Sequence, residues 1–226
     1  MAMAAGRPRT ARPRTPKGRA RVVAERLAEE FPGTATDLCA LRHRNPYELL
    51  TATILSAQTT DERVNMVTPA LFAKYPTPRD LAAADPADVE DLIRTTGFFR
   101  NKTKSIIGMA TALVDRFDGA VPHKMSDLVT IPGVGRKTAN VVRSVAMNEP
   151  GLPVDTHVQR LARRLELTVE KDPVKIEQDL NPLVRATERG SLSLRLILHG
   201  RAVCTARRPR CDACVLADVC PSAFKV

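Results

Sequence analysis

An all-α fold is what this sequence predicts, and three observations predict it. Apolar residues recur at helical spacing, no segment sustains the period-two alternation of a half-buried strand, and several prolines directly follow a side-chain oxygen, as they do at helix starts. The 226 residues are 43% hydrophobic, enough to bury a real core in one large domain or two small ones. No apolar run approaches the ~18 residues of a membrane span, and nothing behind Met1 reads as a secretory signal. A cytosolic protein with no membrane partner is expected.

The helical stripes follow one another along the chain: Val23, Leu27 and Phe31; Tyr47, Leu50, Ile54 and Ala57; Ile106, Ala110, Leu113 and Phe117; Val158, Leu161, Ala162 and Leu165; Ile176, Leu180, Leu183 and Val184. Asn45-Pro46, Thr77-Pro78, Asp85-Pro86 and Asp172-Pro173 each offer an N-cap oxygen followed by proline at the first helical position. Asn45 with Glu48 three residues on has the form of a capping box. Eight to ten short helices and no sheet of consequence are expected, with no internal repeat and no Gly/Ser-rich linker.

The stretch Ile131-Pro132-Gly133-Val134-Gly135-Arg136-Lys137-Thr138-Ala139-Asn140 places two glycines directly before a helix that buries Ala139, Val142 and Ala146. Such a loop can turn its amide N–H groups and the helix N-terminus toward an anion. A DNA phosphate suits it, because backbone donors need no base identity. A plain packing turn would also use these glycines. Lys137 falls in the first turn of the helix. As an ammonium it holds a phosphate, and as a free amine it attacks an electrophilic sugar carbon; the local sequence alone favours phosphate contact.

Eighteen residues later comes Val154-Asp155-Thr156-His157, ahead of a helix that buries Val158, Leu161 and Leu165. Asp155 is an N-cap candidate, with Thr156 able to take that duty instead. A carboxylate facing the Lys137 side could accept a proton and stabilise a cationic sugar. His157 could simply donate a hydrogen bond within its own turn.

Four of the five cysteines, Cys204, Cys211, Cys214 and Cys220, form C-x6-C-x2-C-x5-C. Four thiolates in so short a loop converge on one metal centre. Zinc commonly takes two close cysteine pairs, whereas one close pair flanked by two single cysteines better fits the corner irons of a [4Fe-4S] cluster. Cys39 stands apart beside Leu38 and Leu41 and is expected to be a buried bystander.

The net charge of +10 is unevenly spread. Residues 1–24 contribute +7, from Arg7, Arg9, Arg12, Arg14, Lys17, Arg19 and Arg21, with no acid. With three prolines and little to bury, residues 1–20 are expected to be a disordered basic arm. Arg94, Arg100, Lys102 and Lys104 lie in an acid-free stretch, and six arginines lie between Arg189 and Arg210. Clusters of this kind make a local field, although either alone also suits an ordinary solvated face.

Taken in order, the hairpin with its lysine, the Val-Asp-Thr-His element and the four-cysteine loop resemble the endonuclease III family of the helix-hairpin-helix (HhH-GPD) DNA glycosylase superfamily. Leu55-Ser56-Ala57-Gln58-Thr59-Thr60-Asp61, Thr96-Gly97-Phe98-Phe99-Arg100-Asn101-Lys102 and Leu196-Ile197-Leu198-His199-Gly200-Arg201 extend the likeness over roughly residues 21–224. The resemblance implies an all-α fold of two helical lobes. Residues 39–149 would form a six-helix barrel lobe carrying the hairpin, and residues 21–38 with 150–226 an iron–sulfur lobe, with the active cleft between them. It further implies base excision and strand nicking on double-stranded DNA bearing a damaged pyrimidine or an abasic site, by a monomer of the bacterial cytoplasm acting at the nucleoid. Lys137 and Asp155 would be catalytic. Gln58, Phe98, Gly133, Gly135, Arg136 and His157 would contact DNA, with Phe98 standing where the family carries a leucine wedge and Gln58 where it fills the gap left by a flipped nucleotide. The four cysteines would hold a [4Fe-4S] cluster. An adenine mismatch glycosylase shares the cluster and the aspartate but lacks the hairpin lysine, and a non-catalytic iron–sulfur DNA-binding module needs neither Lys137 nor Asp155.

Overall fold

A computed structural model of the chain describes residues 12–225. These residues form twelve α-helices joined by turns and short 3-10 segments, and no strand occurs among them. None of these helices is long and apolar enough to cross a membrane. The chain divides into two compact units, Met1–Leu38 with Pro150–Val226 and Cys39–Glu149.

The unit Cys39–Glu149 holds α3 (Pro46–Leu55), α4 (Asp61–Lys74), α5 (Pro78–Ala82), α6 (Pro86–Ile93), α7 (Phe99–Phe117), α8 (Met125–Leu128) and α9 (Arg136–Ala146). α3 packs on α9, and α5 and α6 pack on α7. Leu49, Leu50, Leu55, Leu71, Ile106, Met109, Leu113 and Val142 make its dry interior. The unit formed by the two ends of the chain holds α1 (Pro16–Glu30) and α2 (Ala35–Leu38), then α10 (Thr156–Arg164), α11 (Pro173–Leu180) and α12 (Arg189–Ala202). Val23 and Leu27 of α1 share one core with Val158, Leu161, Leu180, Leu192 and Leu196.

The helix starts follow the expected chemistry. Asn45, Thr77, Asp85 and Asp172 each accept a bond from a first-turn amide with proline just inside the helix. The reciprocal capping box forms at Thr77 and Asp80 rather than at Asn45 and Glu48. Glu48 instead turns to the amide and guanidinium of Arg44, so its carboxylate caps one residue earlier. α3 stops at Leu55, two residues short of the end of the expected stripe, and Ala57 lies exposed in the turn that follows.

The basic arm requires a correction. Residues 1–11 lie outside the described residues, but 16–20 are the first turns of α1, N-capped by Thr15. Arg19 is buried, and its guanidinium binds the carbonyls of Pro13, Arg14, Leu165 and Glu166. Four carbonyl acceptors offset the cost of burying the charge, and a charge count alone does not reveal them.

Candidate active site and iron–sulfur centre

The hairpin in the unit Cys39–Glu149 runs into α9 as its sequence dictates. Gly133 has φ +77, and a Cβ there would come within 3.1 Å of the Ser105 Cβ, so any other residue would be both strained and crowded. Gly135 differs: it is the N-cap of α9 at an ordinary φ of −86, and a Cβ there would meet nothing within 4 Å. The space outside Gly135 is therefore open, and no side chain caps the helix. Arg136 and Lys137 are exposed in the first turn, while Ala139, Asn140 and Val142 behind them are buried and Ala146 is half-buried. A helix end of this kind favours an anion.

Two further expected positions in this unit are exposed and conformationally unusual. Gln58 has φ 56 in the turn between α3 and α4, and Phe98 has φ 47 immediately before α7. Phe98 keeps 65% of its surface exposed, which is rare for an aromatic side chain in an ordered turn. The nearby basic stretch is not a uniform positive face. Arg94 pairs with Asp91, Arg100 lies 3.9 Å from Glu90, and Lys102 is buried, which leaves Lys104 as an exposed cation there.

In the other unit, Asp155 rather than Thr156 caps α10. Its Oδ1 accepts the amides of His157 at 2.8 Å and Val158 at 2.9 Å, and Oδ2 takes neither bond. One carboxylate oxygen is thus fixed by the helix, and the other is not used by these two bonds. His157 is half-buried, and its Nδ1 lies 3.0 Å from Nη2 of Arg160. Arg160 also donates to the carbonyls of Gly200 and Cys204, at 2.9 Å and 3.0 Å. The start of α10 is thereby tied to the first cysteine of the loop.

All four cysteines are free and half-buried, and they line one small cavity with Arg164, Val203, Pro209, Arg210, Ala217, Ser222 and Ala223. No carboxylate lines it. Burial pushes the Cys214 thiol up to about 12, and the neighbouring Cys204, Cys220 and Cys211 add to the effect. Burial also raises the Cys220 thiol. Four sulfurs placed to repel one another's charge become thiolates when a cationic metal core binds them, so this all-sulfur set fits an iron–sulfur cluster. Polar groups already face the sulfurs: Nη1 of Arg164 donates to Cys204 at 3.2 Å and the Leu216 amide to Cys214 at 3.4 Å, and Nε2 of His199 lies 3.3 Å from Cys214. Of the six arginines between 189 and 210, Arg189 and Arg195 bind backbone carbonyls within the unit, whereas Arg207 and Arg208 are exposed beside the cysteines. Sequence reasoning missed Arg160 and Arg164. Their i, i+4 spacing on a helix that follows Asp155 was the available signal.

Residues 51–186 match the HhH-GPD superfamily base excision DNA repair protein family, and residues 204–220 match the iron-sulfur binding domain of endonuclease III. The chain is 52% identical to the endonuclease III of Synechocystis sp. over 198 residues, covering 87% of this chain and 89% of that protein. Among solved structures it is similar to a non-covalent endonuclease III–DNA complex, with a TM-score of 0.83, 40% identity and coverage of 92% of this chain and 96% of that one. A trapped endonuclease III–DNA covalent intermediate, an estranged-adenine complex, matches with the same TM-score, identity and coverage.

Proposed function

Because the chain belongs to the endonuclease III family of the HhH-GPD superfamily of base excision DNA repair proteins, we propose that Lys137 and Asp155 carry its chemistry. It is a bifunctional DNA glycosylase and AP lyase with a [4Fe-4S] cluster, and DNA is its partner. The supporting observation for Lys137 is its exposed amine on the uncapped first turn of α9, beside the open space at Gly135.

Phosphate binding by the hairpin amides would bring a flipped nucleotide to the lysine, since C1′ cannot be reached in stacked DNA. The Lys137 amine forms a bond to C1′ as the C1′–N bond breaks, and the base leaves with the bonding electrons and a proton. The Asp155 carboxylate would stabilise the sugar cation, and the proton given up by the attacking amine is the one that leaves with the base. Ring opening gives a Schiff base. That imine acidifies the C2′ hydrogen, and its removal expels the 3′ phosphate by β-elimination. Gln58 and Phe98 would occupy the gap and the opened base step, and Gly133, Gly135, Arg136 and His157 would contact the DNA around them. Cys204, Cys211, Cys214 and Cys220 would hold the cluster, which when bound fixes the loop bearing Arg207 and Arg208. The preferred lesions are oxidised pyrimidines, and the enzyme works as a monomer on chromosomal DNA in the cytoplasm.

Borohydride reduction in the presence of abasic duplex DNA tests this reading. A covalent complex that forms with the wild type and disappears in Lys137→Ala supports it. Equal trapping by both proteins would assign the Schiff base to another amine. A cleavage panel with thymine glycol, other oxidised pyrimidines and uracil tests the substrate class, and light scattering with and without DNA tests the monomer.

A further inference from the structure

Lys102 is 5% exposed, and among the described residues no carboxylate pairs with it. Its Nζ donates to the carbonyl of Thr96 at 2.7 Å. Burial holds its pKa below the ordinary lysine range. A buried cation without a counter-charge is costly, and a methionine of the same length would fill the space without that cost. The position of the bond suggests what the lysine secures. Thr96 ends the 3-10 segment Arg94–Thr96, whose last carbonyls have no partner within the segment. Gly97 at φ 68 and Phe98 at φ 47 then turn the chain into α7 with two successive positive-φ residues, of which Phe98 is left-handed. The Lys102 ammonium holds Thr96 on the near side of this turn, and the first backbone bond of α7, from the Lys102 N–H to the carbonyl of Phe98 at 3.1 Å, places the lysine one helical turn beyond it. Thr96 is itself buried and fastened by its hydroxyl to the Ile93 carbonyl.

We infer that Lys102 is a positioning residue for base flipping, which holds the Thr96-Gly97-Phe98 turn in the strained shape that projects the Phe98 ring. The inference rests on the wedge role proposed for Phe98. A strained turn persists only where its surroundings over-determine it, and here the ammonium supplies the tie that a relaxed turn would not need. Without it, Phe98 still exists on the surface but no longer waits in the inserting geometry.

The test compares single-turnover excision of thymine glycol paired with adenine against the same lesion inside a mismatched bubble, where stacking is already broken. Fluorescence of a 2-aminopurine beside the lesion reports opening of the base step. Lys102→Met is expected to slow excision from the paired duplex about tenfold and to weaken the fluorescence rise, with under about twofold loss in the bubble. Phe98→Ala should give the same contrast, and the double variant should be no slower than Phe98→Ala alone. If Phe98→Ala excises the paired lesion at the wild-type rate, the wedge reading itself fails. If Phe98→Ala is slow while folded Lys102→Met is as fast as wild type, the wedge stands and the role of Lys102 is overturned. Equal losses on duplex and bubble would reduce Lys102 to a structural residue and also overturn it. Should Lys102→Met not fold, as judged by circular dichroism, Lys102→Gln keeps a donor on a shorter neutral stem, and the same duplex-against-bubble contrast decides.

Discussion

Gln58 and Phe98 share an unusual backbone: both are exposed, both have a positive φ, 56 and 47, and both stand in the unit Cys39–Glu149 within three residues of the end of a helical segment. Left-handed backbone costs a non-glycine residue roughly 1–2 kcal/mol, so stability alone favours glycine at either place. Replacing Phe98 by glycine should therefore leave stability unchanged or raise it by up to about 1 kcal/mol, since the gain in backbone fit is partly offset by a more flexible unfolded chain. Excision from a paired duplex should fall at the same time. Urea melts beside single-turnover rates check the pair of outcomes, and a clear loss of stability would show that the ring packs rather than projects.

The two bonds from Asp155 Oδ1 to the start of α10 give it a structural duty that can be separated from the chemical one proposed for it. Asparagine caps helices as well as aspartate does, so Asp155→Asn should melt within about 0.5 kcal/mol of the wild type while excision drops ~10²–10⁴-fold. Asp155→Ala should lose the same activity and a further ~1 kcal/mol of stability. Comparable activity in Asp155→Asn and wild type would confine Asp155 to capping.

Glu149 sits in a pH-sensitive clamp. Its carboxylate meets His123 Nδ1 at 2.6 Å and Arg143 Nη2 at 3.1 Å, and the hydrogen bond from His123, then that from Arg143, holds it below the ordinary value of 4.5. A lowered carboxylate pKa stabilises the fold above its unfolded value and loses that contribution as pH falls through the folded one. The difference in urea stability between wild type and Glu149→Gln should be full at neutral pH, begin to shrink below about 4.5, and vanish in stronger acid. A difference that stays constant with pH would remove the clamp from the acid response.

Truncation should distinguish the two parts of the basic leader. Removing residues 1–11 takes away only Arg7 and Arg9, so the slope of log binding constant against log salt should fall by at most about 2, with nicking unchanged at low salt. Removing residues 1–20 also takes away the buried Arg19 and Ala20 and should lower the melting temperature, which calorimetry would read directly.

The all-α class was legible in the sequence because caps and apolar spacing are local. Thr77, Asp85 and Asp172 start helices where their side chains reach the next amides, whatever the rest of the chain does. The four cysteines and the glycine hairpin were legible for the same reason, since each motif lies within about twenty residues. Illegible were the contacts made over long separations. Arg19 looked like one more charge in a loose arm because its acceptors at Leu165 and Glu166 lie far along the chain. Lys102 read as part of a basic surface because its burial depends on helices packed around α7. Arg160 and Arg164 drew no reading from the sequence, because only the folded loop brings Cys204 and its neighbours to them.

The unit made from both ends of the chain also sets an order of events at the ribosome. α1 is synthesised first, yet Val23 and Leu27 share their core with residues of α10, α11 and α12. At ~5–20 residues per second, α1 waits about 7 to 34 s for those partners, while Cys39–Glu149 is completed in between and can pack as a body. The apolar face of α1 thus lacks its partners until α10, α11 and α12 have emerged, and iron delivery follows the emergence of Cys220, when Cys39–Glu149 has already had time to fold.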